Sequence, residues 1–132
     1  MLIILVIIII FLFFLIFNPC KVSYRTKSGR RYMARDLKTA EMIDTLRDIS
    51  IDLSYNINKK DGELLRRRLQ NTSFKELIDK DPNILAWNYD KGREIGIKIY
   101  NTRGVMYSHE EIISSLLHEL AHSLTYIRGH AD

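Results

Sequence analysis

Ser108-His109-Glu110-Glu111-Ile112-Ile113-Ser114-Ser115-Leu116-Leu117-His118-Glu119-Leu120-Ala121-His122-Ser123-Leu124-Thr125-Tyr126-Ile127-Arg128-Gly129-His130 is the segment from which the rest of the chain is read. Ser108-x-x-Glu111 is a capping box, and Glu110 and Glu111 suit the positive end of a helix dipole. Ile113, Leu116, Leu117, Leu120, Leu124 and Ile127 then recur at i, i+3 and i+4, the pattern of a helix with one side in a core. Inside that helix His118-Glu119-Leu120-Ala121-His122 is H-E-x-x-H. Side chains at i and i+4 lie on one face, so the two imidazoles can converge on one Zn²⁺. Glu119 stands between them along the chain and can polarise a metal-bound water. Both histidines lie beside the apolar stripe, which aims them into a cleft. Gly129 is placed to end the helix with positive φ, and His130 then emerges from a turn as a third ligand. Three protein ligands and an open fourth position describe a catalytic zinc site. Three of the four histidines of the chain belong to this cluster. His109 reads as an exposed first-turn residue and is not assigned to the metal. The competing reading makes the histidines polar surface residues of an ordinary helix.

Upstream of this helix the period is 2. Ile84–Tyr89 is one strand and Arg93–Tyr100 another, with Asp90-Lys91-Gly92 as the turn between them. In the second, Ile95, Ile97 and Ile99 share a face. Asn101-Thr102-Arg103-Gly104 is a further turn. Ser73 is placed to cap a short helix over Phe74–Asp79, with Glu76 at the capping-box position and Asp81-Pro82 as the stop. Glu63–Gln70 has a helical pattern, and Arg66, Arg67 and Arg68 point around it, as in a solvated surface rather than a nucleic-acid stripe. Asp36 is an N-cap for a helix over roughly 37–57, along which Leu37, Ala40, Ile43, Leu46, Ser50, Leu53 and Ile57 recur at helical spacing. Lys59-Lys60-Asp61-Gly62 breaks it. Val22–Thr26 and Arg31–Ala34 flank a Ser28-Gly29 turn and suggest a short hairpin.

The N-terminal run Leu2–Phe17 is wholly apolar. As a helix it measures about 24 Å, slightly short of a hydrocarbon core of about 30 Å, and snorkelling by Lys21 would close the gap. No basic n-region precedes the run, and Phe17-Asn18-Pro19-Cys20 is a poor cleavage site, which favours an uncleaved anchor over a signal peptide. Lys21, Arg25, Lys27, Arg30, Arg31 and Arg35 precede the first acid, Asp36. Positive flanks stay on the cytoplasmic side, so the expected state is a single-pass protein with its N-terminus outside and its domain inside. Net charge is +4, yet outside this flank 14 basic residues face 16 acidic ones. The flank therefore reads as a contact for anionic lipid, with no aromatic platform beside it to favour nucleic acid. A single cysteine, Cys20, excludes an internal disulfide and a cysteine-based zinc site; its place just past the apolar run would allow reversible palmitoylation, but it is read as an inert thiol. The expected organisation is an anchor at 1–18, a basic juxtamembrane segment at 19–35 and a domain at 36–132.

His118-Glu119-x-x-His122-x7-His130, with Gly129 before the third histidine, resembles the WLM branch of the SprT-like zinc metallopeptidases, closest to the short membrane-anchored members of large DNA viruses. Arg31-Tyr32-Met33-Ala34-Arg35-Asp36-Leu37 and Asp90-Lys91-Gly92-Arg93-Glu94-Ile95 resemble two further segments of that family. The resemblance implies an α+β, zincin-like minimal domain: helices, a small antiparallel sheet and the H-E-x-x-H helix, here behind a transmembrane helix. It also implies zinc as cofactor, ligands at His118, His122 and His130, Glu119 as catalytic residue, and a protein or peptide substrate laid along Arg93–Tyr100 as an edge strand. Tyr126 and Tyr107 are candidates to stabilise the oxyanion, although packing is the commoner role for either. Family members run on past the third histidine into another helix, whereas this sequence stops at Asp132, as a fragment or a less firmly closed site would.

The function expected is therefore peptide-bond hydrolysis by a membrane-anchored zinc metallopeptidase, with a zinc-activated water and Glu119 as general base. The alternative is a weak or inactive zincin-fold structural protein of a virion or organelle membrane. A third reading makes the basic flank primary, as a lipid or nucleic-acid tether with steep salt dependence.

Overall fold

The computed structural model describes residues 1–17, 22–89 and 92–127, without the side chains of 14–17, 126 and 127. The elements are α1 (Leu2–Phe17), β1 (Ser23–Arg25), β2 (Arg31–Met33), α2 (Leu37–Asn56), α3 (Lys59–Leu69), β3 (Ser73–Glu76), β4 (Ala86–Tyr89), β5 (Glu94–Ile97) and α4 (His109–Ile127). The architecture is α+β, with a two-stranded β1–β2 hairpin and a three-stranded sheet in the order β3-β5-β4.

One face of the larger sheet carries the core. Phe74, Ile95 and Ile97 point the same way in the pairing register and are buried with Ile43, Leu46, Leu116 and Leu120 from α2 and α4. Ile99 and the hairpin residues Tyr32 and Ala34 join the same cluster, so hairpin, sheet and helices form one packed body. Each large aliphatic residue sealed there contributes about 1.5–3 kcal/mol. On the outer sheet face, Gly96 lies across from Trp87, and a Cβ there would meet the indole nitrogen at 3.1 Å.

Local signals place most boundaries. Asp36 caps α2 by accepting from the Thr39 amide at 2.8 Å. Gly29 supplies the positive φ of the hairpin turn. The break after α2 comes earlier than expected, at Ile57 and Asn58. Asn58 caps α3 through the Asp61 amide, and Lys59–Gly62 forms the first turn of α3. Gly62 serves close packing there, since a Cβ would stand 2.1 Å from the Ser54 carbonyl oxygen of α2.

Three expectations are corrected. The segment from Ser73 is a strand, not a helix: Phe74 and Glu76 are buried while Ser73 is exposed and Lys75 half-buried, the alternation of a pleat. Glu76 lies within the strand rather than in a first helical turn; its carboxylate accepts from the Arg35 backbone amide at 2.9 Å and from Arg35 Nε at 2.7 Å. The sheet is consequently mixed, with β3–β5 parallel and β5–β4 antiparallel, rather than antiparallel throughout. The transmembrane helix is the third. α1 has 16 residues, about 24 Å against about 30 Å of hydrocarbon, and no helix among the described residues is long and apolar enough to cross a membrane. The anchor at 1–18 is withdrawn on that ground. The single-pass placement, N-terminus outside and domain on the cytoplasmic side, goes with it, because charge bias orients only a segment that spans. Asn18, Pro19, Cys20 and Lys21 lie outside the described residues, as do Asp90 and Lys91 of the hairpin turn.

Candidate metal centre

Ser108 and Glu111 close a reciprocal capping box at the start of α4, each backbone amide donating to the other's side chain at 3.2 Å. The buried face of the helix then runs through Ile112, Leu116, Glu119, Leu120 and Ser123. It is rotated from the expected stripe: Ile112 is inside, while Leu117 is 42 % exposed. That rotation puts the carboxylate of Glu119 on the edge of the core, at 7 % exposure, and leaves His118 and His122 on the open flank.

The two imidazoles meet. His118 Nε2 and His122 Nε2 are 3.0 Å apart, with the rings nearly perpendicular and their centroids 4.6 Å apart. Two nitrogens bound tetrahedrally to one zinc at about 2.0–2.1 Å would stand about 3.3 Å from each other. The pair is within a few tenths of an ångström of that spacing, and both nitrogens are of the borderline-soft type that zinc takes. The same 3.0 Å suits a hydrogen bond in which one ring donates, a matter of tautomer. Among the described residues no three histidine, cysteine or acidic side chains gather around one point. His130, the third ligand expected, lies outside the described residues with Gly129 and Asp132.

Burial pushes the Glu119 carboxyl above the usual carboxylate range, and the fields of His122 and His118 pull it part of the way back. A desolvated carboxylate is a stronger base than a hydrated one. A cleft of about 320 Å³ opens beside it, between Ser114, Ser115 and His118 of α4 and Asn83, Leu85 and Ala86 of the segment entering β4.

Asn88, which the sequence pattern did not single out, ties the helix to the sheet. Its Nδ2 donates to the Glu119 carbonyl at 3.2 Å and to Ser123 Oγ at 2.9 Å, while its buried Oδ1 has no hydrogen-bond partner among the described residues. The available signal was a polar residue at an inward-facing strand position, in register with Ile95. The β-hairpin also abuts α4 at Gly92, whose φ is 90° and where a Cβ would lie 2.8 Å from Ser123 Oγ.

The strand expected to receive substrate is misplaced in the sequence reading. Arg93–Tyr100 contains β5, the central strand, whose two edges are taken by β3 and β4. β3 and β4 are the two edge strands, and β4 is the one that lies against α4. Lys98 N bonds Leu85 O at 2.9 Å, and the antiparallel alternation from that pair directs the backbone groups of Ala86 and Asn88 away from β5.

Tyr107 is half-buried against the core and its amide bonds Ile99 O, which suits packing; the side chain of Tyr126 lies outside the described set. His109 sits at the N-terminus of α4, about two and a half turns from His118. The basic flank is partly consumed by the fold: Arg30 pairs with Asp44 and Asp48, and Arg35 with Glu76. Arg66 donates to the Ser54 carbonyl and stacks on Tyr55, so this arginine is a joint between helices rather than a solvated one.

No protein-family model, no curated protein and no solved structure matches this chain.

Proposed function

We propose that the chain is a zinc-dependent hydrolase of peptide bonds, in the manner that the SprT-like resemblance implies. What supports this most directly is the convergence of His118 and His122 at 3.0 Å beside the buried carboxylate of Glu119. His118, His122 and His130 would hold the ion, which when bound supplies an acidified water and an electrophile for the scissile carbonyl.

The chain's own residues do the rest. An extended peptide pairs with the open edge of β4 through the backbone of Ala86 and Asn88, which fixes its path past α4. Its neighbouring side chain enters the cleft lined by Asn83, Ser114 and Ser115. Glu119 takes the proton from the attacking water and returns it to the leaving amine. Asn88, bonded to the Glu119 carbonyl, holds that turn of the helix against the strand that carries the substrate.

The test is zinc content and casein hydrolysis of the full chain beside Glu119→Gln and His130→Ala. The expected result is about one zinc per chain in the wild type and in Glu119→Gln, and weakened binding in His130→Ala. Hydrolysis should fall by about 10²–10⁴-fold in Glu119→Gln. Turnover retained in that variant overturns the assignment. A zinc-loaded wild type without turnover leaves an inactive structural protein.

A further inference from the structure

Lys98 is a lysine with 2 % exposure on the sheet, and the proposed chemistry gives it nothing to do. Its backbone amide donates to the Leu85 carbonyl at 2.9 Å. Its Nζ donates to the Asp81 carbonyl at 2.8 Å. One residue thus holds both ends of the segment 81–85. That segment has little else to hold it. Asp81, Pro82 and Asn83 are exposed, and the remaining bonds are local: Asp81 N to Asp79 Oδ1, Asn83 N to Asp81 Oδ1, and Ile84 N to the same Asp81 carbonyl.

Burying an amine is costly, and a methionine would fill the same space without that cost. Among the described residues, the amine of Lys98 makes this one hydrogen bond. Its effect is on the cleft. Asn83, Leu85 and Ala86 form the wall that faces His118 and Glu119, and Ala86 begins the open strand. A wall on an exposed loop varies in width unless something anchors it, and a wall of the wrong width weakens the hold on the substrate side chain it receives.

We infer that Lys98 is a positioning residue: by gripping the Asp81 carbonyl it sets the width of the cleft opposite Glu119 and the line on which β4 presents its edge to substrate. The inference rests on the hydrolase reading above. It predicts an effect on substrate binding and not on bond cleavage, since Lys98 touches neither His118 nor Glu119.

The test compares the full chain with Lys98→Met, which keeps the aliphatic stem, and Lys98→Arg, which keeps a donor. In Lys98→Met the amides of Asn83 and Ile84 should exchange about tenfold faster, with those of α4 unchanged. On unfolded casein its KM should rise about fivefold to tenfold with kcat within about twofold, and Lys98→Arg should recover most of both. Equal exchange in Lys98→Met overturns the clamp. Faster exchange with unchanged KM, or a loss confined to kcat, overturns its role in recognition. Should Lys98→Met melt below the assay temperature, Lys98→Gln, whose shorter amide stops short of Asp81, carries the same expectations. A wild-type chain with no Glu119-dependent cleavage overturns the hydrolase reading and the recognition role with it, and the exchange experiment still decides whether the clamp exists.

Discussion

Two buried acids, Glu119 and Asp44, end on opposite sides of the usual carboxylate range: burial raises both, and only at Asp44 do the neighbours outweigh it. Glu119 is lifted by burial, with no hydrogen bond from a side chain among the described residues to offset it. Burial would lift Asp44 too, but the Tyr32 hydroxyl at 2.6 Å and Arg30 Nε at 2.8 Å outweigh it and hold its carboxyl below the usual range. The same contact, with burial first, pushes the Tyr32 hydroxyl well above its ordinary value. Asp44 is therefore a structural acid: a depressed folded pKa means stability that is present above about pH 4 and is lost as pH falls through the folded value. Asp44→Asn should cost about 1.5–3 kcal/mol at pH 7, the worth of hydrogen bonds to a charged group. Urea melts of both chains at pH 7 and pH 3 check this, since the gap should shrink at the lower pH. No shrinkage would mean that the pair contributes through packing alone.

At the scale of elements, β3 shows how a local signal loses to tertiary pairing. Ser73-x-x-Glu76 has the spacing of a capping box, but a helix of about six residues does not repay nucleation in isolation. Parallel pairing with β5 and the ion pair from Arg35 to Glu76 both act on the extended form. The true capping box, at Ser108, opens a helix of 19 residues whose apolar face supplies the burial that the shorter segment lacks. Gly62 makes a second case. Helix propensity alone says that Gly62→Ala stabilises α3 by up to about 1 kcal/mol. The Ser54 carbonyl lies 2.1 Å from the new Cβ, so α2 and α3 must separate, and overpacking of this kind costs about 1–3 kcal/mol. The structure thus predicts net destabilisation or, at best, no gain, measurable as a lower urea midpoint. A raised midpoint would show that the two helices approach less closely than described.

The whole molecule divides into a packed body and α1. Every side chain from Leu2 to Phe13 is 46–75 % exposed, and the core cluster contains none of them. A chain beginning at residue 22 should therefore melt within about 0.5 kcal/mol of the full chain, or about 2–4 °C. Calorimetry of the two checks it, and a larger drop would mean that α1 packs on the body. What the sequence by itself determined is what is encoded within a few residues: the 16-residue apolar helix, the N-cap at Asp36, the hairpin turn at Gly29 and the histidine pair at i and i+4, whose meeting at 3.0 Å follows from the helical repeat. Only the tertiary structure decided the rotation of α4 that buries Glu119, the order β3-β5-β4 that puts β5 in the centre and makes β4 the edge strand beside α4, and the reach of Asn88 and Lys98 across the site. Those features depend on which strand lies beside which. That choice is made by burying Ile95, Ile97 and Phe74 against two helices distant in sequence, so no local window of residues contains it.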